Sequence, residues 1–180
     1  MRDAIVAGMS LNIFNTHTDR LKMANIAQIV NVLQSMILTR GKDIVLTPTY
    51  HVFKMYNVHQ DATYVPASSS TSYGTASTGK TYPEISVSAS KSDAYHVSIV
   101  NTSLTEDKEA ELSFDALSPS SVSAEILKGN GKNGETSVKA YNDFGKANEV
   151  VPAAFKDIKI SGGKVKFTIP AASVMMISVK

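Results

Sequence analysis

The sequence contains no cysteine and no tryptophan. Without cysteine there is no disulfide framework and no thiol chemistry, although the compartment stays open. No apolar run reaches the roughly 18 residues that a membrane-spanning helix needs. An excess of one charge is missing too. The formal net charge is +2, which makes no case for a nucleic acid or a membrane surface as partner. Met1-Arg2-Asp3 runs straight into a helical pattern, and an aspartate there does not suit a positively charged leader. Glutamate is absent from residues 1–83, the first being Glu84. What is present is a chain of 180 residues, 43% of them hydrophobic, enough for one ordinary domain or a small domain with part of another.

The hydrophobic period divides the chain at Asp61. Before it, Ile5, Val6, Met9 and Ile13 recur at helical spacing, while Ala7, Leu11 and Phe14 make the other side apolar as well. A helix apolar nearly all round is expected to lie buried between other elements. Its covering layers cannot be found upstream of Met1 in this chain, which points to part of a larger domain. Residues 25–33 form a short apolar run with β-branched members and read as a buried strand of a parallel sheet. Thr47-Pro48 predicts a helix start, a capping hydroxyl followed by proline at the first helical position. Thr49, Val52, Phe53 and Tyr56 then share one face.

After Asp61 the period becomes two. Strands are expected at 84–90, 94–101, 108–115, 121–128, 155–160, 164–169 and 173–179, with residues 62–66 as a further candidate. Gly162-Gly163 between alternating runs reads as a hairpin turn. Residues 67–80, rich in serine and threonine, read as a polar loop. The fold class is therefore mainly β with an α/β segment, the C-terminal part an antiparallel β-sandwich.

Two motif matches fail on context. Gly74 to Thr81 fits the phosphate-loop pattern, but a serine-rich stretch precedes it and Tyr82-Pro83 follows where a helix is required. Gly129 to Gly134 fits the dinucleotide pattern, yet no βαβ unit surrounds it, and a turn between strands is the better reading. His17, His51, His59 and His96 show no zinc-ligand spacing, so no metal or other cofactor is expected. The serines lack a nucleophile-elbow pattern. Before Glu84 the only carboxylates are Asp3, Asp19, Asp43 and Asp61, at helix or loop positions. Gln28 and Asn31 interrupt the apolar run 25–33. If buried, each amide must either bond to neighbouring backbone or aim at a ligand from a strand end.

The blocks Met1–Gly8, Leu11–Asn15, Asp19–Gln28, Val30–Gln34 and Leu46–Phe53 resemble α-L-arabinofuranosidases of glycoside hydrolase family 51. The similarity continues more loosely through Ser86–Ser90, His96–Asn101, Ala140–Phe144 and Ile169–Val174. The resemblance implies an eight-stranded β/α barrel followed by a β-sandwich. Residues 1–61 would be the last helix-strand-helix of the barrel, with 25–31 its eighth strand, and 62–180 the sandwich. The family is retaining and uses two glutamates on earlier barrel strands. No residue here corresponds to either, so no catalytic residue is expected in this chain. The glutamine of the family's Ala-Gln-x-Val-Asn motif matches Gln28, which the resemblance implies hydrogen-bonds arabinose in the −1 subsite, with Asn31 in a supporting role.

Three functions follow as expectations. The first is the C-terminal part of an enzyme that removes terminal L-arabinofuranosyl units from arabinan or arabinoxylan, inactive in isolation. The second is a standalone carbohydrate-binding module, for which the lack of tryptophan and the scattered tyrosines are unpromising. The third is a structural role in which uncovered apolar faces at 4–14 and 25–38 lead to a homo-oligomer.

Overall fold

The computed structural model describes residues 1–129 and 138–180, so the Gly129–Gly134 turn lies, from position 130 on, outside the described residues. The chain opens with α1 (Arg2–Asn15). An irregular stretch leads to a hairpin of β1 (Ile37–Arg40) and β2 (Asp43–Leu46). Then comes α2 (Pro48–Met55), continued by a 3-10 turn over Tyr56–His59. The expected start of α2 is observed: Thr47 is the N-cap, its Oγ1 accepts from the Tyr50 N–H at 3.4 Å, and proline opens the first turn.

The strands that follow are β3 (Thr63–Val65), β4 (Tyr73–Thr75), β5 (Thr81–Pro83), β6 (Ile85–Lys91), β7 (Tyr95–Asn101), β8 (Lys108–Leu112), β9 (Val122–Lys128), β10 (Ala153–Ala154), β11 (Ile158–Ser161), β12 (Lys164–Ile169) and β13 (Ser173–Val179). A six-stranded sheet runs in the order β10-β9-β13-β7-β6-β3 and a three-stranded sheet in the order β11-β12-β8. Every pairing in both is antiparallel. Ser161 pairs with Lys164 across Gly162 and Gly163, both at positive φ (62° and 73°), the backbone that a two-residue turn between twisted strands demands.

Alternation along the central strands explains the layering. Val97 and Ile99 of β7, with Met175 and Ile177 of β13, pack against Val165, Phe167 and Ile169 of β12 to fill the sandwich. Their sequence neighbours Val100, Val174 and Met176 point the other way and share a second core with Ala4, Ile5, Val52, Met55 and Tyr56 of the helical layer. β13 is therefore buried on both faces, and the order of layers is helices, large sheet, small sheet. Each large apolar side chain so covered contributes about 1.5–3 kcal/mol.

Several expectations are corrected. Residues 25–33 form no strand, and most are exposed. A parallel strand needs neighbours along both edges; among the described residues the segment's strand-type pairing is one parallel bridge between Val30 and Ile37 of β1. α1 is buried on one face alone, along Ala4, Ile5, Gly8 and Asn12, while Val6, Ile13 and Phe14 are exposed. The polar loop 67–80 contains β4 and leads into its partner β5. The phosphate-loop match is thus a β-hairpin, with Gly74 lying so close to the Tyr82 ring that a Cβ would sit 2.7 Å from it. β1, β2 and β10 had no counterpart in the sequence reading.

Gly8 is where α1 comes nearest the sheet: a Cβ there would meet Val100 Cγ2 at 2.9 Å and Val174 Cγ2 at 3.5 Å. Gly8→Val should therefore push the helix off β7 and β13 and lower stability by roughly 1–3 kcal/mol in urea unfolding, despite the better helix propensity of valine.

Candidate functional site

The two amides singled out from the sequence lie in the segment between α1 and the β1–β2 hairpin, and both are exposed rather than buried. Without a sheet around it the segment has no interior in which to hide them. Asn31 is nonetheless well anchored. Its Nδ2 donates to Thr39 Oγ1 at 2.9 Å and to the Thr39 carbonyl at 3.2 Å, and its Oδ1 accepts from the Thr39 N–H at 2.8 Å. Its backbone, at φ 54°, donates to the Ile37 carbonyl at 3.1 Å, and Ile37 N–H donates to the Ile29 carbonyl at 3.1 Å. The Gln28 amide has no hydrogen-bond partner among the described residues. A neighbouring cleft of about 190 Å³ is lined in part by Val32, Gln34, Ser35, Asp3 and Tyr141. The Tyr141 ring carries the Lys146 ammonium 3.5 Å from its centre, so that face is not free to stack on a sugar.

A larger polar constellation, which the sequence reading did not single out, lies beneath α1. β6 places Ser86, Ser88 and Ser90 on the face opposite Val87 and Ala89, and β7 places Ser98 beside them. Asn12 and Asn15 of α1 reach down to this row: Asn12 Nδ2 donates to Ser86 Oγ at 3.1 Å and Asn15 Nδ2 to Ser88 Oγ at 3.1 Å. Asn12 Oδ1 faces the hydroxyls of Tyr56 and Ser98, each at 2.8 Å, and of Ser88 at 3.0 Å. His59 closes the row, Nδ1 against Ser90 Oγ at 2.7 Å and Nε2 against Ser98 Oγ at 3.1 Å. Burial, reinforced by the nearby His96, pushes His59 down from its ordinary 6.5 to about 4. A neutral imidazole has one donor and one acceptor, which two hydroxyls satisfy. Burial likewise holds the Tyr56 phenol un-ionised, its pKa raised well above the ordinary value. Tyr56, His59 and Asn15 also line a cleft of about 690 Å³ between the end of α1 and residues 57–62.

These hydrogen bonds tie α1 and the 3-10 turn to the large sheet. Near neutral pH the imidazole of this seam is uncharged and its phenol un-ionised. Several carboxylates of the sandwich are ion-paired. Lys108 holds Glu84 at 2.9 Å and Glu106 at 2.5 Å, and Lys164 and Lys166 both engage Glu111. The Ser72 hydroxyl and Lys108 keep Glu84 below the usual carboxylate range, and the two lysines do the same for Glu111. A glycosidase acid needs the opposite shift. Of the other histidines, His17 is exposed, His96 bonds Ser178 and Ser92, and buried His51 is pushed down by burial and by Lys54. No group of three or more potential metal ligands exists among the described residues.

The fold and this seam define an antiparallel β-sandwich with a helical layer fixed to one sheet. The sequence model of the α-L-arabinofuranosidase C-terminal domain matches residues 1–173. The chain belongs to that family. It is 44% identical, over its full length, to an intracellular exo-α-L-arabinofuranosidase of Bacteroides ovatus, and spans 34% of that protein. The structure of a GH51 arabinofuranosidase from Xanthomonas axonopodis pv. citri superimposes with a TM-score of 0.90 at 34% identity, covering 98% of this chain and 35% of that one. An arabinose complex of the Thermotoga maritima α-L-arabinofuranosidase shares the fold, with a TM-score of 0.77 at 20% identity over 98% of this chain and 37% of that one. The chain therefore corresponds to about a third of these relatives.

Because the folded pKa of His59 is depressed, the stability it carries is present above its unfolded value of 6.5 and is lost as pH falls from there toward about 4. Urea unfolding at pH 7 and pH 4.5 should differ by an extra ~2–3 kcal/mol in the wild type compared with His59→Gln; an equal pH dependence in both would remove His59 as the cause.

Proposed function

We propose that this chain is the C-terminal part of a retaining α-L-arabinofuranosidase that releases terminal L-arabinofuranosyl units from arabinan or arabinoxylan. The match of residues 1–173 to the C-terminal domain family, in a chain only about a third as long as its relatives, carries this reading. In the parent enzyme the acid/base and nucleophile glutamates lie upstream. Residues 1–61 complete the barrel, residues 62–180 form the sandwich, and segment 25–31 becomes the barrel's last strand, which ends at Asn31. Gln28 then hydrogen-bonds the arabinose ring in the −1 subsite, and its unpartnered amide is in keeping with that role.

The exposed apolar side chains support the same reading. Val6, Ile13, Phe14, Met23, Ile29, Val30, Leu33 and Ile44 all lie within the first 46 residues, and Leu33 is 96% exposed. So many uncovered apolar groups in one quarter of the chain mark a face that something else buries. In the parent the rest of the barrel covers it. In the isolated chain a second copy does so, giving a homo-oligomer.

The purified 180-residue protein should show no turnover of an aryl α-L-arabinofuranoside and should sediment as a self-associated species. Gln28→Ala in the parent should lower kcat/KM by about 10–100-fold, the range for losing a buried hydrogen bond of roughly 1.5–3 kcal/mol to a sugar hydroxyl. Turnover by the isolated chain would overturn the proposal.

A further inference from the structure

We infer that Asn31 is a positioning residue, which fixes the segment bearing Gln28 by clamping it to Thr39 and does not itself touch the sugar. The inference rests on the reading of Gln28 as a sugar contact.

Both ends of the Asn31 amide are occupied. Oδ1 takes the Thr39 N–H at 2.8 Å, and Nδ2 is shared between Thr39 Oγ1 at 2.9 Å and the Thr39 carbonyl at 3.2 Å. A side chain engaged in this way has little left for a ligand, in contrast to the Gln28 amide. The backbone adds to the clamp. Asn31 stands at φ 54°, which asparagine tolerates better than most residues, and the Ile29 carbonyl and Asn31 N–H bracket Ile37 on the adjacent edge of β1. The residue immediately after Gln28 is thereby tied to the hairpin.

The hairpin is in turn tied to the sandwich. Asn142, 3% exposed, donates from Nδ2 to the carbonyls of Leu46 and Val150, both at 2.8 Å, and accepts from the Val150 N–H at 2.7 Å. The N-cap Thr47 donates to the Ser35 carbonyl at 2.8 Å, and its N–H donates to the Met36 carbonyl at 3.0 Å. α2 beyond it is sunk into the core beside Val100 and Leu127. A continuous series of hydrogen bonds and packed elements therefore leads from the large sheet to segment 28–31, and the Asn31–Thr39 clamp is its last link. On this account the sandwich acts on the sugar site by holding one strand of it in place.

A double-mutant cycle in the full-length parent enzyme tests this, with steady-state kinetics on an aryl α-L-arabinofuranoside for wild type, Gln28→Ala, Asn31→Gly and the double variant. Glycine keeps the positive φ accessible and deletes only the clamp. Asn31→Gly should lower kcat/KM about ten-fold or more in the wild-type background, as misplacing a binding group by about 1 Å can do. In the Gln28→Ala background it should lower it less than about two-fold, because the group it positions is gone. Asn31→Asp, which keeps the acceptor and loses the donor, should fall between wild type and glycine, and it carries the cycle if the glycine variant does not fold. Equal losses in both backgrounds would mean that Asn31 acts independently of Gln28 and would overturn the inference. So would unchanged kinetics in Asn31→Gly alongside an impaired Gln28→Ala, which would leave the Gln28 reading intact. Unchanged kinetics in Gln28→Ala would remove that reading, and the inference with it.

Discussion

The helical layer is fixed to the large sheet through the buried amide of Asn12. Asn12 sits 1% exposed on the inner face of α1, with its oxygen facing the hydroxyls of Tyr56, Ser88 and Ser98 and its nitrogen donating to Ser86. An amide buried without partners costs a few kcal/mol, so the helix is held to the one register in which all these groups meet. From that register follow the near-contact of Gly8 with Val100 and the Tyr56 hydroxyl's bond to the Gly8 carbonyl at 3.2 Å. Apolar packing of Ala4, Ile5, Val52 and Val174 supplies the bulk of the attraction, but it is not directional. The polar row under the second half of α1 supplies the specificity.

Much of the sandwich was legible in the sequence because its strands obey a period of two with one apolar face. Val165, Phe167 and Ile169 alternate with lysines and a threonine, and β12 runs as expected; Gly162-Gly163 turns as two adjacent glycines between strands should. Thr47-Pro48 likewise announced α2, since both the cap and the fixed proline φ are local effects. Non-local partners were harder to read. The serines of β6 look like a solvated face, and only the arrival of α1 over Ser88 and of His59 over Ser90 buries them. The run 25–33 has the composition of a buried parallel strand, but composition does not provide the two neighbouring strands that such an element requires.

The candidate site was legible only in part. Gln28 and Asn31 stood out as polar residues in an apolar run, and the structure separates them: Asn31 is engaged three times by Thr39, whereas the Gln28 amide has no partner among the described residues. β1 and β2, which make that distinction possible, were not foreseen, because Ile37–Leu46 has no strong turn signal beyond Gly41. The His59 seam was missed for another reason. Its members, Asn12, Asn15, Tyr56, His59, Ser88, Ser90 and Ser98, are scattered over almost ninety positions, and no short motif links them.

Exposed apolar side chains are unevenly distributed over the molecule. The two sheets and the helical layer close over two cores, while eight of the twelve large apolar side chains exposed among the described residues lie on α1, on segment 23–33 and on β2. On the proposed function, these N-terminal elements complete a catalytic barrel encoded upstream. Reconstitution tests it most directly: the upstream part of the parent enzyme is produced separately, with and without this chain, and hydrolysis of an aryl α-L-arabinofuranoside is followed. The account requires activity to appear only when both pieces are present and to saturate at one chain per upstream fragment. Full activity of the upstream fragment alone would contradict it.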